Sequence, residues 1–375
     1  MQKIYLDNAA TTPVDPLVLE AMLPYFSEKF GNPSSIYSYG RETRMAIERA
    51  RKSIAEMLHT RPGELFFTSG GTESSNTAIH CAVRDLGCQR IITSPIEHHA
   101  TLHTVEFLKS LGACTVEYVG LTQNGHVDLV ELESLLAGGQ VKTLVTLMHA
   151  NNEVGNLLDL NLVGNLCRQY GAVFHSDTVQ TIGHYQFNLE QSPVDFLSAS
   201  AHKFHGPKGS GLLYIRQDVQ IKPFIHGGAQ ERLMRAGTEN VAGIVGFASA
   251  LELATMHHDE DSVYIRSLKS YMQEKLTEAI PDIRFNGDTG EQSLYTVLSA
   301  AFPATEKTEM LSINLDMAGI CISGGSACSS GAQGGSHVIK GIYPHESRLP
   351  IRFSFSKHNT FAEIDIVVSK IKEFL

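Results

Sequence analysis

Short apolar runs alternate with helical patterns between about residue 65 and residue 215. The runs cover residues 65–67, 91–92, 116–119, 143–148, 172–174, 196–199 and 211–215. Strands that alternate with helices along a chain are typical of a mainly parallel sheet covered by helices on both faces. We therefore expect an α/β fold for this part of the chain.

Helical spacing of the apolar residues marks the segments on either side of this region. Residues 15–26 form one predicted helix, with Asp15 as its N-cap and Pro16 in the first helical position. Further amphipathic or apolar helices are predicted over residues 41–58, 241–255 and 262–279.

The last hundred residues have a different character. Strands are predicted at 297–302 and 351–355, a loop rich in Gly and Ser lies between them, and a helix covers 361–375. The chain is long enough for two domains. We predict a large domain of residues 15–255 and a smaller α+β domain formed by residues 1–14 and 256–375.

Composition restricts the class of protein further. The chain of 375 residues has 42% hydrophobic and 19% charged residues, which is enough to bury a sizeable core. A net charge of −10 without a clustered basic stripe argues against nucleic acid or an anionic membrane as a partner. The longest weakly polar stretch, 241–254, contains Glu252 and is too short to span a bilayer.

The spacing of the cysteines and the N-terminal residues of the chain indicate the cellular compartment. Six cysteines, at positions 81, 88, 114, 167, 321 and 328, include no Cys-x-x-Cys pair and no spacing of a disulfide framework. Asp7 stands where a signal peptide needs an apolar core. Both observations favour a reducing cytoplasm.

Two charged residues follow neighbouring predicted strands. The run at 172–176 ends just before Asp177, and the run at 196–200 leads to His202 and Lys203. Ligands of open α/β sheets bind outside the carboxyl ends of the strands. An acid and a lysine at that edge suit the ring nitrogen and the imine carbon of pyridoxal phosphate. An ordinary Asp–Lys ion pair at a sheet edge is the alternative.

A glycine-containing turn at residues 68–73 joins a strand to a helix. Backbone N–H groups at such a turn can approach a phosphate, and Thr72 could cap the helix and donate its hydroxyl. The turn lacks the lysine of a Walker loop and the spacing of a dinucleotide turn. A tight turn with a threonine cap is the alternative interpretation, and the turn taken alone is a weak signal for phosphate binding.

Several side chains near these segments could complete a cofactor site. Ser200 and His202 could reach the same phosphate, Gln180 could donate to a phenolic oxygen, and His98 could stack on a planar ring. His99 and His103 have the i, i+4 spacing of a metal pair, but no third ligand is evident, so we interpret them as helix-surface residues.

As a set, eight motifs resemble those of the cysteine desulfurases and occur in the order of that family. They cover residues 5–13, 32–35, 68–73, 151–155, 177–180, 202–209, 235–240 and 323–329. The resemblance extends from residue 5 to about residue 355. It implies a PLP-dependent transferase type I fold, pyridoxal 5′-phosphate as cofactor, L-cysteine as substrate and a homodimer.

The resemblance also implies a role for individual residues. Lys203 corresponds to the Schiff-base lysine, Asp177 to the partner of the pyridine nitrogen, Gln180 to that of the ring hydroxyl, and His98 to the stacking residue and proton shuttle. The phosphate would be held by Gly71, Thr72, Ser200, His202 and, from the opposite subunit, Thr238. Asn152, also at the cofactor, and Arg352 would hold the substrate carboxylate.

Cys328 is the residue that the resemblance identifies as the sulfur acceptor. It lies in the Gly- and Ser-rich segment 323–331, whereas Cys321 lies in an apolar run and is expected to be structural. The segment is similar to the longer catalytic loop of desulfurases that serve iron–sulfur assembly. This implies a sulfur-acceptor protein such as an iron–sulfur scaffold. No resident metal site is expected, although Cys328 could ligate an iron–sulfur cluster transiently.

Three other functions share parts of this pattern. A selenocysteine lyase and another class V aminotransferase-family enzyme would use the same cofactor residues. A non-catalytic scaffold could keep the fold alone, but Lys203, Asp177 and Cys328 together argue against it. The preferred interpretation is conversion of L-cysteine to L-alanine, with sulfur passing to Cys328 as a persulfide for iron–sulfur cluster or thio-cofactor synthesis.

Overall fold

The apolar runs become the strands of the computed structural model, which describes residues 3–324 and 335–375. In chain order the strands are β1 (Ile4–Tyr5), β2 (Leu65–Thr68), β3 (Arg90–Thr93), β4 (Thr115–Tyr118), β5 (Thr143–Thr146), β6 (Val173–Asp177), β7 (Phe196–Ser200), β8 (Gly211–Ile215), β9 (Arg284–Phe285), β10 (Val297–Phe302), β11 (Ile320–Cys321) and β12 (Leu349–Ser354).

The helices lie largely where the helical spacing predicts them. In chain order they are α1 (Pro16–Met22), α2 (Pro24–Ser27), α3 (Ser38–Met57), α4 (Gly71–Arg84), α5 (His99–Ser110), α6 (Leu129–Ala137), α7 (Leu160–Gln169), α8 (Val241–Met256), α9 (His258–Ala279), α10 (Glu306–Glu309), α11 (Leu311–Met317), α12 (His337–Ile342) and α13 (Phe361–Phe374). Among the described residues, none of these helices is long and apolar enough to cross a membrane.

Seven strands form one sheet in the order β2-β8-β7-β6-β5-β3-β4. The pairs from β7 to β4 are parallel, and β8 runs antiparallel to both of its neighbours. Because β5, β6 and β7 are parallel neighbours, their carboxyl ends meet at one edge of the sheet. That edge is where the sequence predicts the functional residues.

Both faces of this sheet are buried. This explains why the sequence shows mainly apolar runs at the positions of its strands. Successive residues of a strand point to opposite faces. In β6, for example, Phe174 packs with α3, α6, α7 and α8, while Val173 packs with α4 and α5 on the other side. The predicted α/β fold with helices on both faces is therefore confirmed.

A second, smaller group of strands has its own hydrophobic cluster. β10 pairs antiparallel with β9 and β12, and β1 pairs parallel with β11. Side chains from these strands pack with α9, α11 and α13. The division into domains of residues 15–255 and of residues 1–14 plus 256–375 stays a prediction.

One predicted helix is interrupted. Asp15 caps α1 by accepting from the backbone N–H of Leu17 at 3.0 Å, as expected, but α1 ends at Met22. Pro24 has no N–H to donate and begins the separate helix α2. The prediction of one helix over residues 15–26 is wrong for this reason.

A buried ion pair covers the outer edge of β2. Arg51 binds both carboxylate oxygens of Glu231 at 2.7 and 2.9 Å, and each side chain is at most 3% exposed. Glu231 also accepts from the backbone N–H of Phe67, and Arg51 donates to the carbonyl of Leu65. The pair thus satisfies two polar groups of β2, which is the edge strand of this sheet within residues 3–324 and 335–375.

We expect Arg51→Met to lower the free energy of unfolding by about 3–5 kcal/mol, because Glu231 would remain buried without its counterion. Urea unfolding followed by circular dichroism measures this change. Glu48→Gln is the matched control, since Glu48 contacts the same guanidinium at 3.3 Å from an exposed position. It should change stability by less than about 1 kcal/mol, and equal losses in the two variants would contradict the interpretation.

Candidate active site

The carboxyl ends of β6 and β7 open into a cavity of about 230 Å³. Asp177 is the last residue of β6, and Lys203 ends a 3₁₀ turn, Ala201–Lys203, directly after β7. The cavity is lined by Ala9, Ala10, Gly71, Thr72, His98, Ala100, Met148, Asn152, Asp177, Val179, Gln180, Ser200, His202, Lys203 and Arg352. Ten of the residues predicted from the sequence are therefore brought together.

The amino end of α4 forms one wall of the cavity. Its N-cap is Gly70, which has φ +156° and provides no side chain for capping. A Cβ atom on Gly71 would lie 2.3 Å from Cγ2 of Val179, so the backbone approaches its neighbour more closely than a side chain would allow. The predicted capping role of Thr72 is wrong, because Thr72 lies inside the first turn. The uncapped turn leaves N–H groups for an anion.

The N-terminal segment forms the opposite wall. Nζ of Lys203 donates to the carbonyl oxygens of Ala9 and Ala10 at 2.5 and 2.9 Å. Nε2 of Gln180 donates to the same oxygen of Ala9 at 3.0 Å. Backbone carbonyls from residues 9–10 thus hold two polar side chains at the cavity.

Asp177 carries a buried charge. Complete burial raises the pKa of its carboxyl from 3.8 to about 6, although the N–H of Val179 and the charge of Lys203 act in the opposite direction. The bond from Val179 to Oδ1 is 2.9 Å long. The carboxylate is therefore predominantly charged at neutral pH and can stabilise a cation placed in the cavity.

The histidines of the cavity are neutral at the same pH. Burial, together with the charge of Lys203, lowers the pKa of both His98 and His202 to about 4. His98 is the N-cap of α5, and its Nδ1 accepts from the N–H of Ala100 at 3.1 Å. The neutral ring of His98 consequently carries its proton on Nε2.

Arg352 reaches the cavity from β12. Its Nη1 donates to the carbonyl of Asn152 at 2.8 Å, and its Nη2 pairs with Oδ1 of Asp7 at 2.6 Å. The side chain is only 2% exposed, and Nε has no hydrogen-bond partner among the described residues. A buried guanidinium with a spare donor suits a carboxylate.

Other predicted residues lie elsewhere. Thr238 is exposed and does not line the cavity. Cys328 lies outside the described residues, and Cys321 is a half-buried free thiol in β11. The rings of His99 and His103 stack at 4.9 Å, and no group of three or more His, Cys, Asp or Glu within residues 3–324 and 335–375 could hold a metal ion.

Sequence reasoning assigned no role to Asp7 or to the carbonyls of Ala9 and Ala10. Asp7 is 345 positions from Arg352, so no local spacing could indicate the pair. A backbone carbonyl has no signature in residue type at all. The motif at residues 5–13 was the only available signal for this wall of the cavity.

Comparison with known proteins agrees with this geometry. The family model described as Aminotransferase class-V matches residues 4–367. The chain belongs to the class-V aminotransferase family, whose members depend on pyridoxal phosphate. The predicted PLP-dependent transferase type I fold is confirmed by this match and by the structures described next.

Within this family, the individual relatives that resemble the chain over its full length are cysteine desulfurases. Cysteine desulfurase IscS of Dictyoglomus turgidum is 41% identical over 378 residues, covering 100% of this chain and 95% of the relative. A solved NifS-like protein has a TM-score of 0.91 at 39% identity, covering 99% of each chain. SspA, solved in complex with cysteine, has a TM-score of 0.82 at 31% identity, covering 96% of this chain and 100% of SspA. The resemblance inferred from the motifs is confirmed.

We expect Asp177→Asn to stabilise the cofactor-free protein at neutral pH. The raised pKa means that folding disfavours the charged carboxylate, so this cost is absent below about pH 4 and grows as the pH rises through about 6. Two pKa units correspond to at most about 3 kcal/mol. Urea unfolding at pH 4 and pH 8 should show a gain at pH 8 only.

Asp159→Asn is the control for this comparison, because Asp159 caps α7 away from the cavity through the same type of side chain. It should show no comparable gain at pH 8. A loss of stability in Asp177→Asn at pH 8 would contradict the assignment of a buried, disfavoured charge.

Proposed function

We propose that the protein is a pyridoxal-phosphate-dependent cysteine desulfurase, which converts L-cysteine and an acceptor thiol into L-alanine and a persulfide. The observation that carries this proposal is the convergence of Asp177, Lys203, Arg352 and the uncapped amino end of α4 on one cavity. These groups supply a partner for a ring nitrogen, an amine, a carboxylate site and an anion site.

The donor set of the cavity fits the cofactor. An uncapped helix end beside a glycine that tolerates no side chain is a suitable cradle for a phosphate. A fully buried carboxylate suits a cationic ring nitrogen, and a lysine at hydrogen-bond distance from backbone carbonyls provides the amine. The proposed cofactor residues are Gly71, Thr72, His98, Asn152, Asp177, Gln180, Ser200, His202 and Lys203, with Thr238 from a second copy.

Lys203 and Asp177 would act at the reacting end of the substrate. Lys203 would hold the cofactor through Nζ, and the same atom would carry the proton removed from the α-carbon of the substrate. The bound cofactor supplies an electron sink next to that carbon. Asp177, charged at neutral pH, would stabilise a protonated ring nitrogen of the cofactor.

Arg352 and Asn152 would position the substrate. The guanidinium is already held by Asp7 and by the carbonyl of Asn152, so little side-chain freedom is lost when a carboxylate binds. His98 would stack on the cofactor ring and relay a proton through Nε2. L-cysteine as the ligand is supported by SspA, which was solved in complex with cysteine.

Cys328 is the proposed sulfur acceptor. Its thiolate attacks the sulfur of the bound cysteine, so that an S–S bond forms while the C–S bond of the substrate breaks. The substrate carbon takes up a proton and becomes the methyl group of alanine. A free thiol has a pKa of roughly 8.5, so a nearby base must remove its proton at neutral pH.

The persulfide would pass to a sulfur-acceptor protein, such as an iron–sulfur scaffold, or to thio-cofactor synthesis. A homodimer is proposed from the resemblance to the cysteine desulfurases, which implies that Thr238, exposed and outside the cavity of its own chain, would serve the phosphate site of a partner. A cytoplasmic location is supported by the five described cysteines, which are all free.

Lys203→Ala should abolish turnover of cysteine and covalent retention of the cofactor, because the variant has no amine at this position. The measurement is cofactor retained after borohydride treatment and denaturation, together with alanine formed from cysteine. Lys52→Ala, which removes an exposed lysine of α3 that does not line the cavity, is the control and should behave like the wild type. Cofactor that remains fixed in Lys203→Ala would refute the lysine assignment.

Cys328→Ser should bind the cofactor and cysteine but lose alanine formation by at least about 100-fold, because an alcohol of pKa far above 8.5 is a poor nucleophile at neutral pH. Mass spectrometry after one turnover should place one extra sulfur on the wild-type peptide that contains Cys328. Cys321→Ser is the control and should remain active. Persulfide on Cys321, or full activity of Cys328→Ser with cysteine, would contradict the mechanism.

A further inference from the structure

The carboxylate site already contains a carboxylate of the protein itself. Nη2 of Arg352 pairs with Oδ1 of Asp7 at 2.6 Å, and the two side chains are 2% and 17% exposed. Arg352 lines the cavity, whereas Asp7 does not. The guanidinium therefore contacts an acid of the chain and also borders the space in which a ligand would bind.

Backbone hydrogen bonds fix the position of Asp7 relative to β12. The N–H of Ser354 donates to the carbonyl of Leu6 at 2.8 Å, and the N–H of Asn8 donates to the carbonyl of Ser354 at 3.4 Å. Asp7 thus forms a parallel bridge with Ser354, which lies two residues after Arg352 on the same strand. The backbone of Asp7 cannot move away from β12 without breaking this pairing.

Arg352 also keeps a donor for a ligand. Its Nη1 donates to the carbonyl of Asn152 at 2.8 Å, but its Nε has no hydrogen-bond partner among the described residues. A buried donor without an acceptor is unfavourable for folding, so the acceptor is expected to come from a ligand. Of the described residues that line the cavity, only Arg352 and Lys203 are positively charged at neutral pH, because the two histidines there are neutral. Lys203 is assigned to the cofactor, which leaves Arg352 for a carboxylate.

Asp7 has two opposite effects on a carboxylate that binds Arg352. Its hydrogen bond holds the guanidinium in place, which favours binding. Its negative charge already compensates the guanidinium and repels a second carboxylate at the same group, which opposes binding. The repulsion is the larger effect, because Asn152 anchors the guanidinium independently and because the guanidinium is so deeply buried that solvent screens the two acids poorly.

We propose that Asp7 is a positioning residue whose charge weakens carboxylate binding at Arg352 and so limits the affinity of the site for amino acids. In the empty site Asp7 is the counterion of Arg352, and the carboxylate of a bound amino acid shares the guanidinium with it. The product alanine is consequently not held tightly. This inference rests on the proposed function, in which Arg352 binds the substrate carboxylate, and adds the residue that sets the strength of that contact.

The test compares L-alanine with L-alaninamide as ligands of the cofactor-loaded, full-length protein. The two compounds share the amine and the methyl group, but the amide has no carboxylate. Isothermal titration calorimetry gives a Kd for each. Wild type should bind L-alanine at least about tenfold more tightly, because a hydrogen bond between two charged groups is stronger than one to a neutral amide. Equal affinities would show that Arg352 does not receive the carboxylate, and would overturn the inference.

Asp7→Asn removes the charge but keeps an oxygen that accepts from Nη2. The Kd of L-alanine should fall about tenfold, which is about 1.4 kcal/mol, whereas the Kd of L-alaninamide should stay within about twofold of wild type. Asp7→Ala also removes the hydrogen bond and should bind L-alanine less tightly than Asp7→Asn does. A merely structural role of Asp7 would weaken the binding of both ligands. Unchanged or weaker binding of L-alanine by Asp7→Asn therefore refutes the proposal.

Thermal unfolding provides a second measurement of the same charge. Without ligand, Asp7→Asn leaves a buried guanidinium without its counterion, so the Tm should fall. L-alanine supplies the missing negative charge and should raise the Tm more in the variant than in wild type, whereas L-alaninamide should not. If the variant is unfolded without ligand, L-alanine alone of the two should restore the fold. Restoration by neither compound, or equally by both, would contradict the assignment.

Asp15→Asn is the matched control for the loss of an acid from an ion pair. Asp15 pairs with Lys357 at 3.4 Å and is 8% exposed, but it does not line the cavity. Its substitution should leave the Kd of both ligands within about twofold of wild type. A tightening equal to that of Asp7→Asn would show a general effect of net charge and overturn the proposal.

Failure of this inference differs from failure of the proposed function. If wild type forms alanine and a Cys328 persulfide, but Asp7→Asn does not bind L-alanine more tightly, only the role of Asp7 is refuted. If wild type forms neither product from cysteine while the Kd values follow the expected order, the desulfurase function is refuted and the role of Asp7 at Arg352 is supported.

Discussion

The burial of one charged carboxylate is the constraint on which the site depends. Asp177 lies fully inside the protein at the end of β6, with one backbone N–H and the charge of Lys203 as its favourable neighbours. Such a charge can be retained only because the sheet around it is held together by two apolar faces. The burial of apolar side chains on both faces thus provides the free energy that offsets the cost of keeping this poorly solvated carboxylate at the cavity.

The sheet could be predicted from sequence because its strands are buried on both faces. Continuous apolar runs such as the one in β8 contrast strongly with the helical periodicity on either side. The failures have local physical causes. Pro24 ends a helix whose apolar pattern continues, and Gly70 starts α4 without the side-chain cap that a threonine at position 72 suggested. The hydrophobic pattern and the capping preferences therefore predict whether a segment is a helix or a strand more accurately than they predict the residues at which it begins and ends.

The candidate site likewise contains residues that could be predicted from the sequence and contacts that could not. Residues at strand ends and in the α4 turn, such as Lys203 and Gly71, could be predicted because sheet topology determines where they lie. The pairing of Asp7 with Arg352 and the carbonyls that receive Lys203 could not, since they depend on how distant segments meet.

The parallel pairing of β1 with β11 has a consequence for biosynthesis. Ile4 leaves the ribosome early, yet its partner Ile320 is made after 315 further residues. Until then the segment that receives Lys203 has no strand to pair with, and contacts of such high sequence separation form slowly. A nascent chain that already contains the complete seven-stranded sheet therefore still lacks a finished cavity. The cavity is completed only near the end of translation, when residues 320–375, about a seventh of the chain, emerge and the first residues pair with them.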